Sequence, residues 1–171
     1  MRKLCSCICF WVLSLFVLRA AEPVWVNDSL LLGDDKTDSY LPLLKGKRVA
    51  VFSNQTGCLS DGTHILDVLV KEKVEVTTLF SPEHGFRGNA DAGERVASSV
   101  DPDTGIPILS LYDGKRPGPA DEAMRRFDVL VVDIQDVGLR YYTYYVTMLR
   151  LMQRCSDFGL QVVILDRPNP N

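Results

Sequence analysis

Four short polar strings carry the side chains needed to bind and cleave a polyhydroxylated ligand. They are Asn54-Gln55-Thr56-Gly57, Ser81-Pro82-Glu83-His84-Gly85-Phe86-Arg87-Gly88, Asp133-Ile134-Gln135-Asp136 with Arg140, and Asp166-Arg167-Pro168-Asn169. Amides and carboxylates exchange hydrogen bonds with hydroxyl groups, and Tyr141, Tyr142, Tyr144 and Tyr145 offer aromatic faces for the apolar side of a sugar ring. A carboxyl group shielded from water holds its proton more tightly and can hand it to a departing glycosidic oxygen. Glu83-His84 is the most pointed pair, because a loop between Pro82 and Gly85 needs neither side chain for its backbone. Each string alone also has a structural reading: turn chemistry for 54–57, a loop cap for Asp133, a local ion pair for Asp166 and Arg167. Their recurrence at four places is what points to a ligand.

Other chemistries lack their parts. No GxGxxG or GxxxxGK[ST] string follows an apolar run, so phosphate-cradling loops are unsupported. No GxSxG elbow is present for a serine nucleophile. The two histidines are His64, near the start of a helix in a packing or solvent-facing place, and His84. A zinc centre needs three or four ligands, which Glu83, His84, Asp91 and Asp133 supply only if folding gathers them. The expectation is therefore no metal and no cofactor.

The elements that must hold these strings follow from apolar periodicity. Residues 48–52 form a short β-branched strand running into the first string, and residues 63–73 a helix capped by Thr63 with Ile65, Leu66, Leu69 and Val70 on one face. Residues 74–80 read as a second strand, 81–99 as a long loop, 106–111 as a weak third strand and 119–126 as a short helix. The unbroken run VLVVDI at 129–134 marks a strand covered on both faces, as in a parallel sheet. Residues 143–158 form a helix ended by Gly159, and 161–165 the last strand. This alternation predicts an α/β, Rossmann-like, doubly wound and mainly parallel sheet with helices on both faces, which places all four strings at strand carboxyl ends.

The chain has 171 residues, 46% hydrophobic and 24% charged, with a formal charge of −3, so it carries no basic surplus of the kind nucleic acids select. Residues 1–21 read as a secretory signal peptide: Arg2 and Lys3, then an apolar run of about 15 residues, short of the roughly 20 needed to span a bilayer, then Ala20 and Ala21. Its removal leaves 16 basic against 22 acidic side chains, and an exported, periplasmic or extracellular protein with no stable membrane span. Only Cys58 and Cys155 remain, and no disulfide between them is expected. Residues 22–46 read as an irregular lead-in and 47–171 as the Rossmann-like domain. That domain stops directly after a strand, where a further helix is needed to cover the sheet, so the expectation is the front portion of a longer protein.

These strings, with Asp91-Ala92-Gly93-Glu94 and Tyr142-Thr143-Tyr144, resemble the exo-β-N-acetylmuramidase family (NamZ type) over about 47–170, in order and spacing. Cys58 after the first string and Asp113 before Gly114 are departures from the family pattern. The resemblance implies a bacterial cell-wall glycosidase that releases terminal N-acetylmuramic acid from peptidoglycan-derived saccharides. It also implies a smaller C-terminal domain, absent here, that completes the cleft. Glu83 is then the general acid, with His84 tuning or orienting it. The second role falls to Asp133 or Asp136 acting on water, or to the substrate's own acetamido group. Arg87, Arg140 or Arg167 grips the lactyl carboxylate. Asn54 and Gln55 bind hydroxyl or acetamido groups, and Gln135, Tyr142, Asp166 and Asn169 complete the binding set. The alternatives are a non-catalytic muropeptide- or sugar-binding module and a metal-dependent hydrolase.

Overall fold

The computed structural model describes residues 31–88, 97–111 and 118–170. The signal segment, Asp91 to Glu94, and Asp113-Gly114 lie outside the described residues. Six strands form one sheet: β1 (Arg48–Ser53), β2 (Glu75–Ser81), β3 (Ser99–Val100), β4 (Pro107–Ser110), β5 (Val129–Asp133) and β6 (Gln161–Ile164), in the order β3-β4-β2-β1-β5-β6. Every neighbouring pair is parallel except β3 with β4. Among the described residues four helices accompany them, α1 (Thr37–Leu44) before the first strand and α2 (Ile65–Lys71), α3 (Asp121–Met124) and α4 (Tyr144–Phe158) between strands.

Two-residue periodicity sends alternate side chains of the central strands to opposite faces. Val49, Val51, Val129 and Val131 pack with Tyr40 and Leu44 of α1 and with Ile65, Leu66 and Leu69 of α2. Ala50, Phe52, Leu130 and Val132 pack on the other face with Ala123 and Met124 of α3 and with Leu151 and Cys155 of α4. The sheet is thus doubly wound with both faces covered, as the unbroken apolar runs require. Gly159 ends α4 at φ +65°, with Leu160 N–H returning to the Cys155 carbonyl in a left-handed cap. Cys58 and Cys155 are both free thiols. Among the described residues no helix is long and apolar enough to cross a membrane.

The structure departs from the sequence pattern in four places. The lead-in is not wholly irregular: α1 forms despite Pro42 inside it, because Tyr40 and Leu44, one helical turn apart, bury themselves on the sheet. Helix α2 starts at Ile65, and its cap is His64, not Thr63. The predicted 119–126 helix is a single turn. Within the expected long loop, Ser99 opens a two-residue antiparallel edge strand.

Candidate active site

Strand order reverses between β1 and β5, because the chain winds from β1 to β2 on one side and returns through α3 to β5 on the other. The crevice outside the carboxyl ends of these two strands is where an open α/β sheet binds ligands. There Asn54, fully buried, accepts through Oδ1 from Thr56 N–H at 2.9 Å and from Thr56 Oγ1 at 2.6 Å. Thr56 Oγ1 in turn accepts from Gln135 N–H at 3.0 Å, which bridges the β1 and β5 loops. Gln135 Nε2 donates to the carbonyls of Asp136 (2.8 Å) and Pro168 (2.9 Å) and brings in the β6 loop. Asp136 Oδ1 accepts from Gly138 N–H at 2.7 Å, and a Cβ at Gly138 would overlap the Asn169 amide.

On the open side stands Glu83, half-buried, with Thr143 Oγ1 donating to its Oε2 at 3.3 Å. Thr143 occupies the N-cap position of α4 yet makes no capping bond, so its hydroxyl is turned to the carboxylate instead of the helix. Next to it Tyr144 is buried, and its phenol is pushed up to about 12, first by burial and then by Tyr142, with the Glu83 charge contributing. The Tyr142 and Tyr144 rings meet edge to face at 4.6 Å. His84 holds φ +72°, an uncommon conformation for a residue with a Cβ, and Gly85 follows at +83°. Gln55 is exposed, with its side chain lying over Gly88, where a Cβ would come within 2.5 Å of it. The crevice thus gathers Asn54, Gln55, Glu83, His84, Tyr142, Thr143 and Tyr144 from three strand-end loops. A cavity of about 140 Å³ adjoins it, lined by Ile134, Asp136, Tyr145, Met148 and Asp166 among others. A larger cavity, about 710 Å³, lies at the opposite end of the sheet around Lys45, Lys47, Glu72 and Glu75 and holds none of these residues.

Three of the predicted site residues point inward. Asp133 is fully buried, and Arg167 Nε donates to its Oδ1 at 2.6 Å. Arg167 Nη2 is bound to Asp34 Oδ2 and to the Cys58 carbonyl (3.1 Å). Burial pushes the Asp133 carboxyl up to about 6 against the pull of Arg167, with Asp34 adding to the rise. Asp133 is therefore sealed from the water it was expected to activate, and Arg167 grips carboxylates of its own chain. Arg87 likewise donates through Nε (3.1 Å) and Nη2 (2.9 Å) to buried Asp101. Burial raises the Asp101 carboxyl, but Thr104 and Arg87 outweigh it and hold the group below the usual range. That pair clamps the Glu83 loop to the 101–104 turn. Arg140, Asp166 and Asn169 are exposed. Among the described residues no group of three or more His, Cys, Asp or Glu side chains could hold a metal ion.

The predicted site residues do not include Asp34, Asp101, Thr143 or His64, and His64 takes the packing place expected of it. His64 is buried against Phe86, ring centroids 5.4 Å apart. Its Nδ1 accepts from Leu66 N–H at 3.2 Å, so the proton sits on Nε2, which donates to the Asn54 carbonyl at 2.9 Å. The ring is neutral, its pKa lowered chiefly by burial, and it fixes Asn54 from below. A helix-start histidine ten residues after Asn54 carried some hint of this. Nothing in the local sequence ties Asp34 to Arg167.

Comparison with known proteins follows the same strings. The family described as exo-beta-N-acetylmuramidase NamZ, N-terminal, matches residues 49–171. A Bacillus subtilis protein named peptidoglycan beta-N-acetylmuramidase NamZ is 42% identical over 138 residues, which are 80% of this chain and 33% of that protein. Two crystal structures of DUF1343 family proteins from Bacteroides fragilis share the fold. One is 48% identical with a TM-score of 0.70 and the other 36% identical with a TM-score of 0.74; each match covers 82% of this chain and 35% of the other. The chain spans about a third of the length of these relatives.

Proposed function

The chain belongs to the exo-β-N-acetylmuramidase NamZ family, and on that premise we propose that it supplies the acid-bearing wall of a glycosidase acting on peptidoglycan fragments. The bond cleaved is the one that releases terminal β-N-acetylmuramic acid, and the reaction serves cell-wall turnover. The observation that carries this reading is the placement of Glu83: a half-buried carboxyl on a left-handed loop at the switch point, oriented by a threonine hydroxyl diverted from helix capping and flanked by tyrosines. Glu83 protonates the glycosidic oxygen, while the Tyr142 and Tyr144 faces pack on the sugar ring. With Asp133 sealed, the second role passes to Asp136 or to the acetamido group of the substrate. With Arg87 and Arg167 committed to internal carboxylates, Arg140 is the arginine left to meet the lactyl group. Residues 1–21 direct the protein out of the cytoplasm, where its substrate resides.

The test is hydrolysis of a chromogenic β-MurNAc glycoside by the longest polypeptide that carries this sequence. Glu83→Gln should abolish turnover while leaving sugar binding in place. Full activity in that variant, or cleavage of GlcNAc glycosides with none of MurNAc glycosides, would refute the assignment. Binding of MurNAc without turnover by the unaltered protein would identify a sugar-binding module instead.

A further inference from the structure

We propose that Asp34 and Asp133 hold one proton between them beneath Arg167, and that Asp34 is thereby a positioning residue for the crevice. The crevice role rests on the glycosidase reading, whereas the shared proton does not. Asp34 and Asp133 are fully buried and the Arg167 side chain is 6% exposed. One guanidinium facing two carboxylates leaves, if all three are ionised, an uncompensated negative charge out of reach of water. Arg167 engages one oxygen of each, Asp133 Oδ1 and Asp34 Oδ2. The other two, Asp34 Oδ1 and Asp133 Oδ2, are buried with no donor. Both carboxyl groups lie against the same guanidinium, and the charge of Asp34 favours a proton on Asp133. A proton on either removes that repulsion and leaves one negative charge against one guanidinium, as in other paired carboxyls.

Among the described residues no second cation forms an ion pair with either carboxyl group. Asp35, beside Asp34, is itself taken by Ser60 N–H and Oγ and by Leu32 N–H. From α1 the Tyr40 hydroxyl donates to the Asp34 carbonyl at 3.1 Å. Cys58 of the β1 loop is a neutral thiol, raised by burial, with Asp67 of α2 behind it. The neutral triad therefore laces residue 34 to the ends of β1, β5 and β6. Gly33 N–H completes the lacing at the Asp166 carbonyl (2.8 Å), where a Cβ would overlap the Asp166 backbone. The loops carrying Asn54 and Asn169 depend on that seam.

The fold keeps a proton that an unfolded aspartate gives up near its ordinary 3.8. Stability from this source is complete at low pH and is lost as pH rises through about 6. The experiment is urea denaturation of the chain across that window, with the protons released on unfolding counted by calorimetry in buffers of different ionisation enthalpy. Just above the midpoint of the window the unaltered chain should release about one proton more than Asp34→Asn or Asp133→Asn, the uptake by His64 and the other carboxyl groups being common to all three, and either variant should lose this pH dependence. Equal proton counts for the unaltered chain and both variants overturn the shared proton; so do variant stability profiles parallel to the unaltered one. On a muramyl glycoside, in the longest polypeptide that carries this sequence, Asp34→Asn should lower turnover and alter its pH dependence without loss of melting temperature at neutral pH. An unchanged rate and pH profile overturns the positioning role. An unaltered protein that releases the proton but cleaves no muramyl glycoside overturns the glycosidase reading alone.

Discussion

Replacing Arg167 with methionine isolates what its guanidinium does. The side chain sits 6% exposed against two fully buried carboxyl groups and the Cys58 carbonyl. Methionine fills much of the volume and returns no charge, so Asp133 and Asp34 are left buried together with no cation beside them. Removing one side of a buried ion pair costs about 3–5 kcal/mol, and the orphaned carbonyl adds roughly 1 kcal/mol. Against total stabilities of about 5–15 kcal/mol for domains generally, that is a large fraction, equivalent to roughly 10–15 °C in melting temperature for a chain of this size. The loss should be largest near pH 8 and smaller near pH 5, roughly, because without the guanidinium burial favours the neutral form of both carboxyl groups and acid supplies the second proton. Urea denaturation followed by circular dichroism at both pH values measures it. The triple variant Asp34→Asn, Asp133→Asn, Arg167→Met, with no charge left to bury, should recover most of the loss. A cost below about 1 kcal/mol at the higher pH, or a triple variant no better than Arg167→Met, would refute the reasoning.

Two further perturbations probe the loops around the crevice. Since His84 sits at φ +72°, His84→Gly should be more stable than His84→Ala by about 1 kcal/mol, although both lose the imidazole; equal denaturation midpoints would contradict the left-handed backbone. His64→Ala should cost about 1–2 kcal/mol by removing both the α2 cap and the donor to Asn54. Because the His64 pKa is lowered in the fold, its contribution is complete above the ordinary histidine value of 6.5 and fades as pH falls through the folded value. The variant should therefore lack that acid-side decline, which opposes the Asp133 trend and is separated from it by comparing the two variants' pH profiles.

Much of the architecture was legible because strand and helix patterns depend on residues close in the chain. The short apolar runs at 48–52 and 129–134, each leading into polar turn residues, read as strands covered on both sides, and the structure has strands there at 48–53 and 129–133. Helix α1 escaped notice because Pro42 and its eight-residue length weaken every local signal, and only burial of Tyr40 and Leu44 makes it stable. The Thr63 cap was displaced by His64 because the imidazole can cap α2 and reach Asn54 at the same time.

The sequence by itself determined the mainly parallel sheet and the polar strings at its strand ends, since each follows from short-range periodicity and turn chemistry. Only the tertiary structure decided which of those polar side chains face a ligand. Arg87, Asp133 and Arg167 have the residue types of a binding site, yet their partners are Asp101 and Asp34, the latter 133 residues from Arg167. A charged side chain is functional or structural according to what stands opposite it in space, and that neighbour is chosen by packing the whole chain. The same packing turned Thr143 from a helix cap into the hydroxyl that orients Glu83.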